Sequence, residues 1–210
     1  SDQDHLNIHH ISQSSNISDR TDFLLSENKI NPSNGAFIAF KSLLNSIPNN
    51  NLLIIGVPCN TFHSDKIWIN FVNSINIYSK SIVTKKINCH ILNMIDETVN
   101  YILSSNKNIK KIGIMSTEGT KKTKVYDNKL KKHNIDVIYV PDYLQNKLTQ
   151  SIYNKDWGIK SISYPITDKA KNNLIECANW LCNNNSDVII LGCTEIPIGL
   201  FTCITGVSGS

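Results

Sequence analysis

Arginine is almost absent from this chain: of 21 basic Lys and Arg residues, only Arg20 is an arginine. Long hydrophobic runs are absent too. The apolar stretches at 52–57 and 188–191 fall well short of the roughly 20 residues that a membrane-spanning helix needs. The opening Ser1-Asp2-Gln3-Asp4 carries neither the basic nor the apolar region of a signal peptide. These absences argue against a membrane protein and favour a cytoplasmic one. Cysteines stand at 59, 89, 177, 182, 193 and 203, with no C-x-x-C pair among them. The 177/182 spacing suits neither a zinc knuckle nor a redox dithiol, and the chain is too long for a disulfide-built scaffold. His5, His9 and His10 are the nearest approach to a metal cluster, and no metal is expected.

Nucleic acid is not an expected partner either. The net charge is +4, and its densest source is Lys121-Lys122-Thr123-Lys124 followed by Lys129, Lys131 and Lys132. No series of aromatic residues is interleaved with these lysines as a base-stacking platform requires, so they read as a solvated helix face.

What is present is an ordinary globular composition, 40% hydrophobic and 8% aromatic over 210 residues, and two segments that look alike. Asparagines 49–51 lead into Leu52-Leu53-Ile54-Ile55-Gly56-Val57-Pro58-Cys59-Asn60-Thr61, and asparagines 183–185 into Asp187-Val188-Ile189-Ile190-Leu191-Gly192-Cys193-Thr194-Glu195. Continuous apolar runs of this length suit strands buried on both faces of a parallel sheet. Each cysteine then falls at the carboxyl end of its strand, where open α/β sheets bind ligands.

Between these segments helix and strand patterns alternate. Helices are predicted over 37–47, 64–73, 95–104, 120–133, 142–152 and, capped by Thr167, up to 182. Strands are predicted over 87–92, 111–117 and 135–140. The alternation implies an α/β fold with mostly parallel sheets flanked by helices. A division near residue 93 gives a first half, 1–93, carrying Cys59, and a second half, 94–200, carrying Cys193. Residues 201–210 form an atypical tail.

Two matched thiols suggest a specific chemistry. Inverting an α-carbon requires one group to remove its proton and another to return a proton on the opposite face. A free thiol titrates near pH ~8.5, within reach of neutrality, and a helix amino terminus stabilises its thiolate. Asn60, Thr61 and Thr194 can each donate a hydrogen bond to a carboxylate. Taken singly, a cysteine beside an apolar run is usually a small buried hydrophobe, and Cys89, Cys177, Cys182 and Cys203 are assigned to packing.

The motifs resemble those of the cofactor-independent aspartate/glutamate racemases. Pro58-Cys59-Asn60-Thr61-Phe62-His63 is similar to the family's first cysteine motif, and Leu191-Gly192-Cys193-Thr194-Glu195-Ile196-Pro197 to its second. Ile112-Gly113-Ile114-Met115-Ser116-Thr117-Glu118-Gly119-Thr120 resembles the strand and Thr-x-Gly-Thr turn between them. Ser18-Asp19-Arg20-Thr21 resembles an element that supplies a substrate-contacting arginine. Ile152-Tyr153 with Gly158-Ile159-Lys160 resembles one whose lysine faces the substrate.

The resemblance implies two pseudo-symmetric α/β halves, an active site in the cleft between them, and no cofactor. It also implies Cys59 and Cys193 as catalytic thiols acting on aspartate or glutamate. Arg20, Asn60, Thr61, Thr117, Thr120, Lys160, Thr194 and Glu195 are then the candidate substrate contacts. Arg20 suits this on physical grounds as well, because its planar fork binds a carboxylate through two hydrogen bonds. Thr117 and Thr120 have helix capping as an alternative use, and Glu195 has tuning of Cys193. His63 reads as a structural histidine. The partner is a small amino acid, and homodimers are common in the resembled family.

The pattern departs from the family at both ends. The family's first strand and glycine-rich turn are missing, and the expected closing helix gives way to Phe201-Thr202-Cys203-Ile204-Thr205. Gly206-Val207-Ser208-Gly209-Ser210 resembles the opening of a phosphate loop but lacks its Gly-Lys-Ser/Thr. An edge and some apolar surface are expected to be exposed. The alternative to a racemase is therefore an inactive, truncated relative that binds dicarboxylates or serves as an interaction module. Hydantoin racemases, maleate isomerases and decarboxylases reuse the same thiols and form a third reading.

Overall fold

The computed structural model describes residues 7–26, 30–47, 52–81, 88–105 and 108–204. The asparagines before the first strand, His5 and the segment 206–210 lie outside these, as does the side chain of Cys203. The chain divides into two compact units, Ser1–Ile55 with Asp65–Ile91, and Gly56–Ser64 with Leu92–Ser210.

The first unit contains α1 (Arg20–Leu25), α2 (Pro32–Ser46), β1 (Leu52–Gly56), α3 (Asp65–Ser81) and β2 (Asn88–Leu92). Helix α2 begins earlier than the apolar pattern predicts. Asn31 accepts a hydrogen bond from the Ser33 N–H and Pro32 occupies the first turn, a start that needs no apolar residue. Gly35 is required there, because a Cβ would stand 1.9 Å from the Asn16 carbonyl oxygen. Ala36, Phe40 and Leu44 on α2 and Ile67, Phe71 and Ile75 on α3 are buried at i, i+4, i+8 spacing, and the two helices pack together.

Strand β1 corrects one expectation. It pairs with β2 in a two-stranded sheet, and only Ile55 is buried, while Leu52 and Ile54 are 62% and 66% exposed. Its apolar run is covered on one face rather than two.

The second unit is built on a three-stranded parallel sheet in the order β4 (Asp136–Tyr139), β3 (Lys111–Ser116), β5 (Val188–Gly192). Side chains alternate across it with the period of the pleat. Ile112, Ile114 and Ile190 join one core with Ile95, Val99 and Ile102 of α4 (Met94–Ser105) and Leu130 of α6 (Asp127–Lys131). Met115, with Ile138, Ile189 and Leu191 beside it, joins the other. That core is filled by Leu144, Leu148 and Ile152 of α7 (Asp142–Tyr153) and Leu174, Cys177 and Leu181 of α8 (Asp168–Asn183). Gly113 lets α8 approach, since a Cβ there would meet Ser186 Oγ at 2.8 Å and Leu181 at 3.1 Å.

This is the α/β arrangement the sequence implied; of the two cysteine-bearing strands, β5 contributes to the cores on both faces of its sheet, with Ile190 on one side and Ile189 and Leu191 on the other. Thr167 caps α8 as expected, accepting from the Ala170 N–H. The single helix predicted over 120–133 is instead two, α5 (Glu118–Thr123) and α6, broken where Lys124 adopts the left-handed conformation at φ 52°. Helix α9 (Glu195–Ile204) follows β5 directly. Among the described residues no helix is long and apolar enough to cross a membrane.

Candidate active site

Three loops gather at the carboxyl end of the parallel sheet. Ser116 ends β3 and is in register with Gly192, which ends β5, so Thr117 and Cys193 are the first residues past the ends of two neighbouring strands. The third loop is the 56–64 segment, which follows β1 in sequence but belongs to the second unit. Cys59 precedes a short 3-10 helix, Asn60–His63, that packs against α4 and α5.

Threonine hydroxyls join two of these loops. Thr61 Oγ1 lies 3.2 Å from Thr117 Oγ1 and 3.0 Å from Thr120 Oγ1, and Thr117 donates to Thr120 at 3.3 Å. All three are buried. Three hydroxyl protons and six lone pairs suffice for such a ring. Thr117 also caps α5 by accepting from the Thr120 N–H. To touch a ligand, these hydroxyls must exchange bonds they already make.

The residues beside Thr61 are held as firmly. His63 accepts the Met94 N–H at Nε2, so its proton is on Nδ1 and is donated to the Cys59 carbonyl at 2.8 Å. Burial lowers its pKa, which favours this neutral form. The contact is to the Cys59 backbone, as a structural histidine makes. Asn60 Oδ1 accepts a short hydrogen bond from the Tyr126 hydroxyl.

Around Cys193 the expected residues come together, but they act on the thiol in the opposite sense to the one expected. The Cys193 thiol donates to Glu195 Oε2 at 2.9 Å, and the Thr194 hydroxyl donates to the same oxygen at 3.1 Å. Burial first, and then the Glu195 charge, push the Cys193 pKa well above its ordinary value of 9.0. The expected stabilisation of a thiolate by the α9 amino terminus is therefore overridden, first by burial and then by an acid in that helix's first turn. Cys59 differs from expectation too, because it leads into a 3-10 turn rather than directly into an α-helix.

Lys160 Nζ lies 3.8 Å from Glu195 Oε1 and 4.4 Å above the Tyr153 ring. It is delivered there by a loop folded against the end of α7, with the Ile159 and Lys160 N–H groups bonded to the Ser151 and Ile152 carbonyls. Gly158 is needed in that loop, since a Cβ would stand 2.6 Å from Asn154 backbone atoms. The Ile152-Tyr153 and Gly158-Ile159-Lys160 elements thus form one device.

The second unit therefore brings together Thr61, Thr117 and Thr120 in one cluster, and Lys160, Cys193, Thr194 and Glu195 in another. Arg20 stands at the first position of α1 in the first unit, behind the Asp19 cap. Sequence reasoning missed Tyr126 and the buried Gln145, whose Nε2 donates to the Ser116 carbonyl at 2.9 Å. The only signal for Tyr126 was an aromatic within a lysine-rich stretch. Among the described residues no group of three or more His, Cys, Asp or Glu side chains is placed to hold a metal ion.

The mixed α/β fold, a parallel sheet flanked by helices, matches that of a solved aspartate racemase. The aspartate racemase of Picrophilus torridus superposes with a TM-score of 0.68 at 28% identity, over 95% of this chain and 71% of that one. The chain belongs to the Asp/Glu/Hydantoin racemase family, whose sequence profile matches residues 81–203. A glutamate racemase of Caldanaerobacter subterraneus is 25% identical over 160 residues, 75% of this chain and 48% of its own length. An uncharacterised Pectobacterium carotovorum protein is 29% identical over 108 residues, 51% of this chain and 66% of its own length. The match thus spans less than two thirds of each of these two relatives.

Proposed function

We propose that this protein is an amino-acid racemase that interconverts the L and D forms of aspartate or glutamate, without a cofactor, through Cys59 and Cys193. The observation that carries this reading is the state of the Cys193 thiol. It is held protonated against Glu195, at the end of a central-sheet strand and beside the loop that receives the Cys59 turn. A poised S–H group is the acid that such a reaction requires on one face of the α-carbon.

In one direction Cys59 removes the α-proton and Cys193 supplies its own to the opposite face. The bond to the old proton breaks as the bond to the new one forms, and no electrons leave the substrate. In the other direction Cys193 must act as base. Glu195 Oε2 lies within hydrogen-bonding distance to accept the Cys193 proton, and Lys160 offsets the charge of that carboxylate. Asn60, Thr61, Thr117, Thr120, Lys160 and Thr194 are the proposed polar contacts for the substrate, and Arg20 the proposed bidentate carboxylate ligand.

The test is α-proton exchange, followed by NMR in heavy water with each enantiomer of aspartate and glutamate. Exchange with at least one of them is expected, and Cys59→Ser and Cys193→Ser should each abolish racemisation. Folded protein that exchanges none of the four would refute the reading. Dicarboxylate binding by calorimetry without exchange would favour a binding module.

A further inference from the structure

Asn60 is buried, 7% exposed, yet only half of its amide is used. Its Oδ1 accepts from Tyr126, while among the described residues no acceptor takes the Nδ2 protons. Nor is Nδ2 among the fully enclosed polar atoms that lack partners, so it keeps an outlet from the protein interior. Tyr126 itself is 1% exposed, and burial pushes its pKa up to about 12, so the phenol keeps the proton it donates. An amide group is planar: once its oxygen is fixed, the direction of both N–H bonds is fixed with it.

We propose that Tyr126 is a positioning residue, whose hydroxyl locks the Asn60 oxygen and thereby aims the Asn60 Nδ2 donors at a carboxylate of the substrate. Without the lock, the amide can turn over and present an oxygen to an anion, which repels it. Tyr126 reaches Asn60 from the start of α6, so the left-handed break at Lys124 that separates α5 from α6 has a use. The proposal rests on the racemase reading for the identity of the ligand, but the lock itself does not.

The experiment combines kinetics with side-chain NMR on Tyr126→Phe, Asn60→Ala and the double variant. With whichever aspartate or glutamate enantiomer the wild type exchanges, Tyr126→Phe should raise KM about tenfold, the scale of one well-placed hydrogen bond. kcat should stay within about twofold of wild type on the same basis. In the Asn60→Ala background Tyr126→Phe should add nothing to KM. The Asn60 amide pair, assigned by its loss in Asn60→Ala, should shift in Tyr126→Phe. An equal KM effect of Tyr126→Phe with and without Asn60, or a fall in kcat alone, overturns the proposal. If wild-type protein exchanges no substrate, the racemase reading fails, and an unmoved Asn60 amide pair still overturns the lock. Should Tyr126→Phe not fold, the Tyr126 Cζ resonance reads the bond from its other end. That resonance should move in Asn60→Ala, and an unchanged one overturns the lock.

Discussion

Glu195 shows how one side chain sets the resting state of the proposed reaction. Its carboxylate receives both the Cys193 thiol and the Thr194 hydroxyl, and its charge, after burial, holds the thiol protonated. Removing that charge in Glu195→Gln should therefore lower the Cys193 pKa. Alkylation by iodoacetamide, followed for Cys193 by peptide mass spectrometry across pH, would show it. The profile in wild type should rise only above the ordinary value of 9.0, and in Glu195→Gln it should move to lower pH. An unchanged or upward-shifted profile would mean that the carboxylate does not control this thiol.

At the scale of elements, the break between α5 and α6 is the least comfortable piece of backbone in the site's surroundings. Lys124 closes α5 with φ 52°, a conformation that costs an ordinary residue about 1 kcal/mol and glycine almost nothing. Lys124→Gly should accordingly stabilise the protein by roughly 0.5–1 kcal/mol in urea unfolding, less the greater freedom glycine has in the unfolded chain. A loss of stability would mean that the Lys124 side chain contributes more than the strained backbone costs. Among the described residues, the other two positive-φ residues that are not glycine, Asn134 and Asn185, are of the type that tolerates this region.

For the molecule as a whole, the sheet of the second unit separates two cores. Leu148 belongs to the α7–α8 side and Leu130 to the α4–α6 side, and both are fully buried. Each change to alanine should cost about 2–5 kcal/mol, the range for emptying a leucine site in a packed core. Because the two clusters share no residue, the double variant should equal the sum of the single ones to within about 0.5 kcal/mol. A larger coupling, measured by the same urea titrations, would show that the sheet transmits strain between its faces.

Much of this architecture is local and could be read from the chain. The apolar runs that became β3 and β5, the Thr167 cap and the order of helices and strands depend on neighbouring residues alone. The cysteine motifs were legible for the same reason, since each is a strand end with its own turn. Other features depend on partners distant in sequence. Leu52 and Ile54 read as core because their pattern is apolar, but whether a strand is covered on its second face is decided by what packs there. The Lys-rich stretch read as one helix because nothing in its composition marks Lys124 as left-handed. Sequence likewise determined that an acid would follow Cys193, yet only folding decided that this acid would take the thiol's proton in a hydrogen bond. Tyr126 met Asn60, and Thr61 met Thr117, across 66 and 56 positions. Such meetings carry no local signature, because hydrogen bonds form between atoms near in space, and sheet register with helix packing decides which atoms those are.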